Sequence, residues 1–148
     1  MNPIARLALP IGAALLALPS LAQFAKTEDA VKYRQSVMFA QSQHFGRIGA
    51  MANGRAPYDA ASAAANAEVV AMLARLPWAA FGAGTEGGKA RSDVWQEQAK
   101  FKDLSDRLIA DTGKLVEAAK TNNLDTLKAQ FSATADTCKA CHDAFRSR

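Results

Sequence analysis

Cys138-Lys139-Ala140-Cys141-His142 holds both cysteines of this 148-residue chain. Residues three apart share one face of a helix. Cys138 and Cys141 can therefore both reach the vinyl groups at one edge of a porphyrin and form thioethers. His142 follows directly, and its imidazole can turn to the iron, which histidine nitrogen ligates well. The spacing C-x-x-C-H is the attachment signature of a c-type haem. Other uses of a cysteine pair fit less well. A thioredoxin-like redox pair needs a βαβ surround, and the chain shows no strand pattern. Zinc normally takes four protein ligands, and outside the motif the only histidine is His44. A disulfide closing so short a loop contributes little. Six residues follow His142. A second axial ligand is therefore expected from upstream, or the iron keeps an open face.

Working outward, the N-terminus reads as a secretory leader over residues 1–22. Arg6 supplies the positive region, and the apolar run from Leu7 to Leu18 is too short to span a bilayer comfortably. Pro10, Gly12 and Pro19 disfavour a stable helix there, and Ser20-Leu21-Ala22 places cleavage after Ala22. Residues 23–148 are then one exported, soluble domain. Export to the periplasm fits the motif, because c-type haem is attached outside the cytoplasm. The formal charge of +4 includes the leader's Arg6 and would be offset by haem propionates. No Lys/Arg cluster with interleaved aromatics points to nucleic acid. No membrane partner is expected after leader removal, since no later stretch approaches spanning length. No paired carboxylates or nucleophile–base arrangement suggests hydrolytic catalysis, so the chain does not read as an enzyme.

Helical periodicity runs through the rest. The first helix is expected from Thr27, as N-cap, to about Ala52, with Glu28 and Asp29 favouring the positive end of its dipole. Val31, Met38, Phe45 and Ile48 fall on one face. Ala30, Val37 and Phe39 suggest a second face for a partner helix. The second helix follows the cap Asp59, with Val69, Val70, Met72, Leu73 and Leu76 as its apolar side, and stops at Pro77. Residues 77–91 contain Gly82, Gly84, Gly87 and Gly88 and read as a long, irregular loop, in which Trp78 and Phe81 pack down. A turn at residues 92–95 leads to the third helix, about 97–120, striped by Phe101, Leu104, Leu108, Leu115 and Ala119. Asn122-Asn123 breaks it. The fourth helix runs from about Leu124 to Arg146 with Leu127, Phe131, Ala135, Cys138, Cys141 and Phe145 inward. The expected fold is all-α, an antiparallel four-helix bundle enclosing a covalently attached haem. Alanines at 63, 64, 65, 67, 118 and 119 would leave room for the macrocycle. Met51 and Met72 read as core filler, and His44 as a surface or interface residue.

The mature chain resembles the cytochromes c′, a standard example of this bundle topology. The resemblance lies in the opening from Gln23 to Gln35, in Leu76-Pro77-Trp78-Ala79-Ala80-Phe81-Gly82, in Thr85-Glu86-Gly87-Gly88, and in the ending from Cys138 to Arg146. It implies one haem c per chain, with His142 as sole protein ligand. First-helix side chains close the other face, where NO and CO bind. Arg34 and Gln35 match residues beside the haem, where a guanidinium can pair with a propionate. Trp78 matches the loop aromatic near the haem, and Arg146 a basic residue close to the proximal side. The family usually forms homodimers through its first two helices. Met38 falls at the distal position, often leucine in similar members. It is expected to be an apolar lid. The alternative is a sulfur ligand, which would make the protein a six-coordinate, low-spin electron carrier. The sequence gives no sign of the redox partner.

Overall fold

The computed structural model describes residues 23–148. The expected leader lies outside them. Four long helices carry the chain: α1 (Thr27–Ala52), α2 (Ala60–Leu73), α4 (Gln98–Lys120) and α5 (Leu124–Phe145). A 3₁₀ turn (Pro77–Phe81) and the one-turn α3 (Asp93–Gln96) stand between α2 and α4. Helices adjacent in sequence pack together, and α1 closes the ring against α5. Among the described residues the sheet content is one isolated antiparallel bridge, Ala90 to Arg146. No described helix is long and apolar enough to cross a membrane.

Local chemistry sets most boundaries as expected. The Asp59 carboxylate accepts the Ser62 amide at 2.5 Å and starts α2. Asn123 does the same for α5, accepting from the Thr126 amide at 3.0 Å. Two boundaries differ. The N-cap position of α1 is Lys26, which makes no side-chain cap bond. The Thr27 hydroxyl instead donates to the Gly84 carbonyl at 2.7 Å, spending its side chain on the distant loop. Helix α2 ends at Leu73, before Pro77. Trp78 Nε1 donates to the Ala74 carbonyl at 2.6 Å and so satisfies an acceptor that the ending helix leaves open.

The core is divided. At one end Ile48, Met51, Ala63, Ala67, Val70, Leu115, Ala119 and Leu127 form a closed apolar cluster, flanked by Phe45 and Phe131. Each fully buried aliphatic side chain there stabilises the fold by about 1.5–3 kcal/mol. At the other end Val94, Leu104 and Phe145 gather with Phe81, Trp95, Phe101 and Cys141. Alanines 63, 67, 118 and 119 are buried between helices, as read, whereas Ala65 is exposed. Met51 is core. Met72 is 58% exposed and Leu76 40%, so neither fills it. An alanine-rich helix is weakly apolar all round, and its period does not reveal which side faces in. Of the residues expected to face a partner, Ala30 and Val37 are buried within this fold, and Phe39 alone is left outside at 66% exposure. His44 is half-buried between α1 and α2, its Nδ1 2.9 Å from Asn66 Oδ1.

The closed end tolerates no extra atom at Gly49. A Cβ there would lie 2.7 Å from Phe131 Cζ, and that ring is stacked on Phe45 with centroids 4.4 Å apart. Gly46, on the same helix, has nothing within 4 Å. Gly49→Ala should therefore cost about 1 kcal/mol net, overpacking outweighing the gain in helix propensity. Gly46→Ala should stabilise by about 0.5–1 kcal/mol. Thermal denaturation of both variants should show midpoints moving in opposite directions, each by roughly 2–6 °C.

Candidate functional site

A cleft of about 410 Å³ opens at the divided end of the bundle, within the range of cofactor sites. Helix α1 contributes Arg34, Gln35, Met38, Phe39 and Ser42 to its wall. Helix α5 and the residue after it contribute Cys141, His142, Phe145 and Arg146, and Phe81, Lys89, Ala90, Val94 and Phe101 complete the lining. The exposed lining is mainly carbon, with cationic groups from Arg34, Lys89 and Arg146. An apolar slot with cationic side chains suits a flat hydrophobic ring that carries carboxylates. The second large depression, lined by Lys114, Glu117 and Gln130 among others, is a shallow groove away from the motif.

The motif lies near the end of α5, beside the cleft. Cys138 and Cys141 are free and half-buried. Cys141 and His142 line the cleft, with Cys138 one turn earlier on α5. Burial, with the Cys141 neighbour adding to it, pushes the Cys138 thiol up to about 11; burial also raises Cys141. At neutral pH both are thiols. Among the described residues no three His, Cys, Asp or Glu side chains gather as a metal cluster. His142 is lowered from its ordinary value by partial burial and by the Arg146 charge, against the opposing pull of Asp143. Its imidazole is thus neutral, with a lone pair to give. Beneath the motif, Thr137 donates to the Asp111 carboxylate at 2.7 Å and clasps α5 to α4.

Arg34 is buried, at 3% exposure. Nη1 donates to the Ala80 and Thr85 carbonyls at 2.6 and 2.7 Å, and Nη2 to the Gly87 carbonyl at 2.8 Å. The guanidinium also lies over the Phe81 ring at 4.5 Å and the Trp95 ring at 5.7 Å. It lines the cleft as expected, but three of its donors hold the loop. Gln35 lies against Gly88, where a Cβ would come within 2.9 Å of Gln35 Nε2; Gly88 has φ +61°, so glycine serves both the turn and the close approach. Trp78 stands one layer back, stacked on Phe81 at 6.3 Å and edge-on to Phe101 at 5.8 Å. It is not among the lining residues, so it supports the wall instead of forming it. Lys89, Val94 and Ser42 were not singled out from the sequence. Their places depend on loop and helix packing that periodicity does not encode.

With this geometry established, similar proteins can be compared. The cytochrome C′ family model matches residues 29–146. Cytochrome c′ of Alcaligenes xylosoxydans xylosoxydans is 51% identical over 126 residues, covering 85% of this chain and 99% of its own. Cytochrome c′ of Rubrivivax gelatinosus is 43% identical over 129 residues, covering 85% and 100%. A solved nitric oxide complex of a mutant cytochrome c prime from Alcaligenes xylosoxidans matches with a TM-score of 0.82 at 50% identity, covering 85% of this chain and 100% of that one.

The thiol chemistry is directly testable. In haem-free protein, alkylation by iodoacetamide should be slow at neutral pH and rise with pH through about 11 for Cys138. The double change Cys138→Ala with Cys141→Ala should abolish haem that survives denaturing electrophoresis, as read by mass and haem staining.

Proposed function

The chain belongs to the cytochrome c′ family, and from that premise we propose that it is an exported haem c protein which captures nitric oxide on a five-coordinate iron. CO is the second ligand of this class, and electron exchange the accompanying activity. The haem supplies an iron that takes a diatomic gas and cycles between ferric and ferrous. Cys138 and Cys141 tether the ring, His142 ligates the iron, and residues 1–22 direct the chain to the periplasm where the tether is made. A homodimer through α1 and α2 is supported by the exposure of Phe39 and Met72.

The observation that carries this reading is the makeup of the α1 wall. Met38 and Phe39 are its apolar side chains. Two of the polar groups nearby are engaged elsewhere: Ser42 donates to the Phe39 carbonyl at 2.7 Å and Arg34 grips the loop, while Gln35 lies against Gly88. A wall that presents two apolar side chains, with the Ser42 and Arg34 donors committed to carbonyls, offers bound O₂ little hydrogen bonding, and it lacks the acid–base pair that peroxide chemistry requires. NO and CO need no such help. The second reading, a six-coordinate electron carrier, rests on the thioether of Met38 in that same wall.

Optical spectra of the ferric and ferrous protein separate the two. The ferrous protein should be high-spin and change on adding CO or NO. A low-spin spectrum with a sulfur-to-iron charge-transfer band would put Met38 on the iron. In the five-coordinate case Met38→Ala, by removing the lid, should speed CO association on the order of tenfold, worth about 1.4 kcal/mol in the barrier. Stopped-flow mixing reads that rate.

A further inference from the structure

The segment 82–91 ties the two walls of the cleft together. On the α1 side it is held by Arg34 at Thr85 and Gly87, and by Thr27 at Gly84. On the α5 side, Ala90 bridges Arg146. The flanking bonds of that bridge run from the Arg91 amide to the Phe145 carbonyl and from the Ser147 amide to the Lys89 carbonyl, both at 2.9 Å. The Arg146 amide in turn donates to the His142 carbonyl at 3.1 Å. Hydrogen bonds joined by short stretches of backbone therefore lead from the Arg34 guanidinium to the backbone of His142.

We propose that Arg34 is a positioning residue for the proximal side of the cleft: by gripping this strap it fixes Arg146 and, through Arg146, the surroundings of His142. The proposal rests on His142 holding the haem iron. Its physical basis is the planar fork of arginine, which meets several carbonyls at once where the point charge of lysine cannot. The three bonds are buried or partly so, and the cation–π contact with Phe81 orients the fork further. From Gly87 to Ala90 the strap is short and turned, the Ala90 amide reaching back to the Gly87 carbonyl at 3.4 Å. Such a turn passes a displacement of Gly87 on to Ala90 and hence to Arg146.

The test uses the haem-loaded protein and two variants that cut the strap at opposite ends. Arg34→Lys releases the α1 end. Arg91→Pro deletes the amide that bonds Phe145, whereas Arg91→Ala keeps that amide and serves as its control. The readouts are the iron–histidine stretching band of the ferrous protein and hydrogen exchange at the Ser147 amide. Both Arg34→Lys and Arg91→Pro should move the band in the same direction and speed Ser147 exchange by about tenfold. The double variant should do no more than the larger single change, since both cut one path. Arg91→Ala should leave both readouts in place. An unmoved band in Arg34→Lys, or additive effects in the double variant, would overturn the proposal. If Arg34→Lys does not fold, Arg91→Pro against Arg91→Ala still decides it: no band shift between them refutes the coupling. The CO response of the parent protein independently reports whether the five-coordinate reading holds.

Discussion

At the end of the bundle where the aromatic cluster of Phe101 and Phe145 lies, side chains of α1, α5 and that cluster line an open cleft, away from the closed apolar cluster around Leu115 and Leu127. A bundle this size gains most of its stability from burying apolar surface, so an unfilled interior is costly unless another hydrophobic body completes it. The features of the site follow from that constraint. Both thiols are half-buried and remain protonated at neutral pH, Cys141 in the wall and Cys138 one turn earlier on α5. The lining is largely carbon, with cationic side chains from Arg34, Lys89 and Arg146. The family assignment and the haem c it implies complete the arrangement.

Much of this was legible in residue types and spacing. The motif spacing located the tether and the imidazole. Period 3.6 located α1, α4 and α5 to within a residue or two, because each carries an apolar stripe. Asp59 and Asn123 announce their helices by side-chain chemistry that acts over three residues. What escaped the sequence acts over long separations. Arg34 reads as a propionate partner, yet its donors go to Ala80, Thr85 and Gly87, 46 to 53 residues away. Thr27 reads as a cap, yet bonds Gly84, 57 residues on. Trp78 reads as a ring contact, yet spends its indole N–H on α2 and leaves the wall to Phe81 and Phe101. Met72 and Leu76 were placed inside because α2 offers no polar face to contrast with them.

The two walls of the cleft are unequal. The α5 wall presents Cys141 and His142, with Cys138 one turn earlier, and clasps such as Thr137 to Asp111 keep that helix in register. The α1 wall presents Met38 and Phe39 beside Ser42 and Arg34, whose donors bond backbone carbonyls. In the proposed role, discrimination among ligands would depend more on bulk and on the softness of a thioether than on hydrogen bonding. Exchanging one first-helix side chain would change selectivity without touching attachment.

The division of the core also bears on cooperativity. Each cluster buries its own side chains, and long helices shared between them are the main link. A chain with two cores joined by helices opens as separate units, each at its own free-energy cost. A ring tethered to α5 in the cleft would pack on the aromatic cluster and on α1, the helix that runs on into the closed cluster, and could not diffuse away. Its stabilisation is thus independent of concentration, unlike that of a dissociable ligand. By bracing α1, which also carries Ile48 and Met51 of the closed cluster, attachment would couple two partly independent halves, making the prosthetic group as much a structural element as any of the helices.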